Sequence, residues 1–362
     1  MVTSDEFTVR SPARVCLFGE HSDYLGLDVI SAAIDRYIEL RVVPRDDPVI
    51  SIVYADLDEK EHFSADSEAP YVKKRDYVRS AFNIVRRRKP ESLPGADITI
   101  SGRIPIAAGL SSSSALTVGA ILAFSSLAGL RLSSDDIARA AFRAEVVEFG
   151  ESGGKQDHFT IAHGGIVHLD LGHDYLVTPL PADISGLIIG NSDEQKEDTV
   201  GDLAHLRETI EKEYERIRES IEEFDARETD LKQVRGLSNG SRANSRRMAE
   251  ATLRNRDLTA RAKELLSQKK PDPEVLGQLL NEHHQILRDG LGRSTKKIET
   301  MIEAATDAGA LGCKINGSGG GGTMLAYAPD RESQVMDAIE QVGGTAFEVA
   351  VGQGVSLTRH RQ

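Results

Sequence analysis

Four consecutive serines, Ser111–Ser114, follow Gly109-Leu110 and run straight into a long stretch of small and apolar residues that ends at Leu127. Upstream, Ala96 to Ile104 has the β-branched texture of a strand, and Leu110 to Leu127 reads as a helix. The serines therefore mark a strand-to-helix turn, beginning at Pro105. A helix start presents free N–H groups and the positive end of the helix dipole, so this turn suits an anion, usually phosphate. Serine hydroxyls there also suit Mg²⁺. A solvated Ser-rich turn that only caps the helix is the plainer alternative. A nucleophilic serine would call for Gly-x-Ser-x-Gly, which this turn lacks.

With 362 residues the chain exceeds a single hydrophobic core, and two domains are expected. A boundary near 185–200, after Leu187-Ile188-Ile189, divides it into 1–190 and 191–362. Lys plus Arg number 44 against 57 Asp plus Glu, a net charge of -13. That balance argues against nucleic acid and anionic membrane as partners. Cys16 and Cys313 lack zinc spacing and cannot build a disulfide framework. Met1 to Glu6 carries no basic-then-apolar leader and no long apolar run follows, so a cytoplasmic protein is expected.

Strands are expected at Phe7–Phe18, Ile30–Val43, Val49–Tyr54 and Thr323–Ala328, and a helix at Arg75–Arg88. Ser134 is the expected N-cap of a helix over Asp135–Phe149. Asp198 to Phe224 reads as an amphipathic helix, Gly236 to Ser241 as a flexible connection, and Pro273–Asp289 and Ser294–Ala308 as helices. Gly317-Ser318-Gly319-Gly320-Gly321-Gly322 matches Gly-x-Gly-x-x-Gly but lies between a helix and a strand, the reverse of the dinucleotide fingerprint. It is either a close backbone approach or a plain loop. Gly150 to Lys155 is a near miss of the Walker A motif. Arg14 lies in an apolar strand, and a buried cation needs a carboxylate, for which Asp157 is a candidate. Glu20, His21 and Asp23, with Glu145, Lys155 and His158, complete a polar set for which structural ion pairs are the plainer explanation.

In this order and separation, the three segments resemble the GHMP kinase superfamily of galactokinase, homoserine, mevalonate and phosphomevalonate kinases. The resemblance implies an α+β fold, with a ribosomal-protein-S5-like N-terminal domain and a ferredoxin-like C-terminal one. ATP and Mg²⁺ would occupy the cleft between them. Ser11 to Tyr24 is similar to the galactokinase signature, with Cys16 where galactokinases usually carry Asn. The similarity implies catalytic roles for Arg14 and Asp157 and sugar binding by Glu20, His21 and Asp23. It implies ATP binding by Gly109, Leu110, Ser111, Ser112, Ser113 and Ser114, and Mg²⁺ ligation by Ser113 and Glu145. Gly153 to Asp157 is closer to heptose and fucose kinases, and Lys314 to Gly322 to mevalonate and heptose kinases. The implied activity is a sugar 1-kinase of galactokinase type, as a monomer or homodimer acting on ATP and a small polyhydroxylated acceptor. The alternatives are another sugar kinase of the heptose or fucose type, a mevalonate-type kinase, or a non-catalytic sugar or nucleotide sensor.

Overall fold

The computed structural model describes residues 5–89, 93–102, 104, 109–151, 153–172, 175–194, 199–237 and 243–360. Met1 to Ser4, the Pro105–Ala108 start of the serine turn, Asp198 and Ser238 to Ser241 lie outside the described residues.

The chain opens with β1 (Phe7–Phe18) and β2 (Val29–Arg45), a long antiparallel pair with register shifts at Pro12/Ala13 and Cys16/Phe18. Burial of β1 alternates from Phe7 to Arg10 and is continuous from Ser11 to Phe18. Alternation marks a strand with one wet face, and continuous burial marks one covered on both. β3 (Val49–Tyr54) and β4 (Glu59–Ser64) form a hairpin, α1 (Tyr77–Arg88) crosses over, and β5 (Gly95–Gly102) enters between β2 and β3. α2 (Ser112–Leu127) is apolar on all sides and packs on β1, β2 and α1, as a helix buried all round must. α3 (Ser134–Phe142), α4 (Gln156–His163) and the hairpin of β6 (Ile166–Asp170) and β7 (Leu176–Leu180) complete this layer.

A second sheet begins with β8 (Leu187–Asn191). After it come α5 (Thr199–Arg218), α6 (Leu231–Arg235), α7 (Ala243–Leu266), α8 (Pro273–Gln285) and α9 (Lys296–Asp307). β9 (Gly312–Asn316), β10 (Thr323–Tyr327), α10 (Glu332–Gln341) and β11 (Thr345–Val349) close it in the order β11-β8-β10-β9, all antiparallel. That is the ferredoxin-like arrangement. α7 and α8 touch β1 on one side while α8 packs on β9, so the end of β1 is enclosed between the two sheets. β12 (Ser356–Arg359) then returns to pair with the start of β1. Thus β8 belongs to the second sheet and β12 to the first, whatever boundary is chosen. Among the described residues no helix is long and apolar enough to cross a membrane.

Two helix expectations are corrected. The cap of α3 is Ser133 rather than Ser134: Ser133 Oγ accepts the Asp136 N–H at 3.1 Å and Asp136 answers the Ser133 backbone, a capping box. The helix does not run regularly to Phe149 either; after Phe142 it widens into a π-helical turn, Arg143–Val147.

Candidate active site

The end of β1, the serine turn, the π-helical turn and the first turn of α4 converge on a cleft of about 510 Å³. The Ser turn owes its shape to backbone conformation. Gly109 (φ 82°) and Ser111 (φ 59°) are both left-handed, which turns the chain so that α2 starts at Ser112 facing the cleft. His21 (φ 66°) and Arg75 (φ 61°), also at the cleft, share that uncommon conformation, which surrounding contacts must hold. Arg14 lies beneath this turn. Its Nε donates to Asp157 Oδ1 at 2.6 Å and its Nη1 to the Gly109 carbonyl at 2.8 Å. Ser111 Oγ donates to Asp157 Oδ2 at 2.6 Å. Burial works against the Asp157 charge, but Arg14 and Ser111 outweigh it and hold the carboxyl below its ordinary range. Asp157 is therefore an anion at neutral pH, oriented by one hydrogen bond on each oxygen.

The Gly run closes on the same turn from the second sheet. Gly317 has φ 76°, and a Cβ there would meet the Gly109 carbonyl at 3.0 Å and the Gly109 Cα at 3.1 Å. The close-approach alternative therefore holds at Gly317, with glycine supplying both the φ and the space.

Glu20, His21 and Asp23 also line the cleft. His21 Nδ1 is 3.0 Å from Tyr24 Oη, and Asn255 Nδ2 of α7 donates to the Glu20 carbonyl at 2.8 Å, pinning this turn. Asp23 Oδ2 accepts the Gln156 N–H at 3.4 Å. Burial, and then the charge of Asp157, push Asp23 up to about 7. Its folded value lies above its unfolded value of about 3.9, so its contribution to stability is present at low pH and lost as pH rises through about 7. Asp23→Asn is accordingly expected to raise Tm at pH 8, by about 2 kcal/mol in stability, and to leave it unchanged near pH 4. Thermal melts at the two pH values check this.

Glu145 sits in the π-helical turn, a distortion often found at functional sites, and its Oε2 is 2.8 Å from Nε2 of the buried His158. The oxygen donors facing the cleft, the Ser113 hydroxyl and the Glu145 carboxylate, fit a hard cation such as Mg²⁺, which takes one or two protein oxygens beside phosphate.

Of the residues singled out from the sequence, Arg14, Glu20, His21, Asp23, Gly109, Ser111 to Ser114, Glu145 and Asp157 all border this cleft. Leu110 does not: its side chain is buried in the core while its carbonyl accepts the Arg14 N–H at 3.3 Å. Lys155 lies off the cleft, its Nζ 3.2 Å from the centroid of the Tyr175 ring. Cys16 is a core thiol, with Sγ donating to the Phe18 carbonyl at 3.3 Å. Lys314 and Asn316 had no assigned role. Asn316 Oδ1 accepts the Cys16 N–H at 3.1 Å and its Nδ2 donates to the Gly109 carbonyl at 3.0 Å. The available signal was their position beside the Gly run, polar residues alternating with apolar ones in a strand that proves wholly buried.

A carboxylate held ionised beside a phosphate-type turn, with oxygen donors for a divalent cation, is a setting for phosphoryl transfer. Residues 76–165 match the family described as GHMP kinases N terminal domain, and residues 262–344 match GHMP kinases C terminal. Residues 2–42 match the galactokinase galactose-binding signature. The mevalonate kinase of Thermococcus onnurineus (strain NA1) is 33% identical over 350 residues, covering 92% of this chain and 93% of that one. The galactokinase of Haemophilus influenzae (strain PittGG) is 29% identical over 368 residues, covering 96% and 91%. Lactococcus lactis galactokinase complexed with galactose superposes with a TM-score of 0.87 at 22% identity, over 98% of this chain and 95% of that one. Fold and site thus define a phosphotransferase with an alcohol group as acceptor. The chain belongs to the GHMP kinase family.

Proposed function

We propose that this kinase transfers the γ-phosphoryl group of ATP to the anomeric hydroxyl of a free sugar, as a sugar 1-kinase of the galactokinase type. The observation that carries the choice of acceptor is charge pairing. Among the described residues the arginines lining the cleft, Arg14 and Arg75, are already matched by Asp157 and Glu151, and no lysine lines it. The acceptor wall offers Glu20, His21 and Asp23, which suit an uncharged, hydroxyl-rich molecule and leave an acid without a counter-ion. The galactose-binding signature over residues 2–42 supports the same choice.

In this reading the N–H groups at the start of α2 bind the ATP phosphates. Mg²⁺, held by Ser113 and Glu145 when bound, would supply neutralisation of phosphate charge. Asp157 accepts the proton of the attacking hydroxyl, or orients it, on a lone pair that Arg14 and Ser111 leave open. Arg14 keeps Asp157 ionised and counters charge on the migrating phosphoryl group. Glu20, His21 and Asp23 hold the sugar hydroxyls, so that reaction occurs from a fixed pose.

A mevalonate-type reading has one observation in its favour, the 33% identity to the Thermococcus mevalonate kinase. It would use the same Asp157 and Arg14 on an acid, for which the cleft shows no unmatched cation among the described residues. A methyl glycoside tests the anomeric assignment. The free sugar that the enzyme accepts should be phosphorylated and its methyl glycoside should not; turnover of the glycoside would place the reaction at another hydroxyl.

A further inference from the structure

β9 carries a lysine in the interior of the molecule. Lys314 is 0% exposed, between Cys313 and Ile315, which are equally buried. An ammonium group there is tolerated only if its donors find partners. Lys314 Nζ lies 2.8 Å from the Cys16 carbonyl and 3.3 Å from Glu20 Oε2. The same Oε2 accepts the Gly317 N–H at 2.8 Å. One oxygen of Glu20 is thus held from the second sheet, by a cation and by the first glycine of the Gly run. The other, Oε1, receives no hydrogen bond from the described residues, and Glu20 borders the cleft.

We infer that Lys314 is a positioning residue for the acceptor: it fixes the Glu20 carboxylate so that Oε1 is presented to a substrate hydroxyl. The inference rests on the sugar-kinase reading and adds the residue that sets the acceptor wall. Burial alone would favour protonated Glu20, which would present a donor as well as an acceptor. Lys314 and then Arg14 hold it below its ordinary value, so it offers acceptors only. Lys314 reaches Glu20 from a strand outside the first sheet, so the acceptor wall is completed by the second half of the molecule.

The test compares Lys314→Met, Glu20→Gln and the double variant with wild type, using the free sugar that wild type turns over best. Lys314→Met is expected to raise the KM for sugar about 10- to 100-fold, the scale of a charge-assisted hydrogen bond, with the KM for ATP within about threefold. Glu20→Gln should do the same, and the double variant no more than the larger single loss, because both act through one carboxylate. A sugar KM unchanged in Lys314→Met, sugar and ATP KM rising together, or losses that multiply in the double variant would each overturn the inference. If Lys314→Met does not fold, the double variant, which removes the buried unpaired charge, is compared with Glu20→Gln instead. Equal sugar KM values support the inference, and a further rise in the double variant overturns it. A wild-type enzyme inactive on every free sugar overturns the sugar-kinase reading and the inference together. A wild type active on sugar, beside variants with unchanged sugar KM, overturns the inference alone.

Discussion

Asp157→Asn is expected to lower kcat by about 10²- to 10⁴-fold, the usual worth of a positioned base, with the KM for ATP nearly unchanged. The amide keeps the size of the carboxyl group and an acceptor for Arg14, whose Nε is 2.6 Å away. It cannot take a proton. It also removes the anion that faces Arg14, so orientation and charge of the attacking hydroxyl suffer, while the backbone N–H groups at the start of α2 stay in place and Ser111 loses only a charged acceptor. Steady-state kinetics with ATP binding measured by calorimetry separate the two. An unchanged kcat would sink the assignment of Asp157, and a kcat loss matched by lost ATP affinity would point to a collapsed serine turn.

Arg14→Met is expected to cost about 10²- to 10³-fold in kcat at pH 7 and to change the pH profile. In wild type Arg14 holds Asp157 below its ordinary value, so the acidic limb of Asp157 falls below about pH 4. Without the guanidinium, burial dominates and the folded-state pKa rises. The limb then moves up toward neutral pH, and activity recovers as pH increases. The stability that the depressed Asp157 contributes, present above its unfolded pKa and lost as pH falls through the folded one, is removed as well. A flat loss at every pH, with no displaced limb, would mean that Arg14 acts on the phosphoryl group alone.

β1 and β3 were readable from the sequence to their end residues, because turn formers bound them and β-branched and apolar residues dominate them. The Ser-rich turn was placed correctly between its strand and its helix for the same reason, whereas the Gly run, read as lying between a helix and a strand, joins two strands, β9 and β10, because the five-residue β9 was not foreseen. β12 was not seen: four residues, Ser356–Arg359, form an edge strand whose pairing with Phe7 to Arg10 is set by tertiary contact rather than by pattern. α7 was missed because Ala, Arg, Asn and Thr dominate it, so its apolar stripe is faint, although Leu253, Leu258 and Leu266 are buried. The π-helical turn that carries Glu145 has no periodic signature.

At the site, the cost of a buried cation called for a carboxylate beside Arg14, with Asp157 as a candidate, and the structure makes that pair. The left-handed φ of Ser111 and the donors on Asp157 could not, since they depend on a serine adopting a conformation it seldom takes. Lys314 and Asn316 were given no role because β9 was not foreseen, and polar residues ahead of a Gly run read as surface. Only the enclosure of β9 by α8 and the end of β1 makes them interior.

The central claim is that the cleft phosphorylates an uncharged sugar rather than an acid. Its most direct test is turnover of ATP, with Mg²⁺ present, on galactose and other free sugars, side by side with mevalonate, using Asp157→Asn as control. The account predicts turnover of a free sugar, loss of that turnover in the variant, and none with mevalonate. Turnover of mevalonate alone would contradict the reading of Glu20, His21 and Asp23 as a sugar-binding wall.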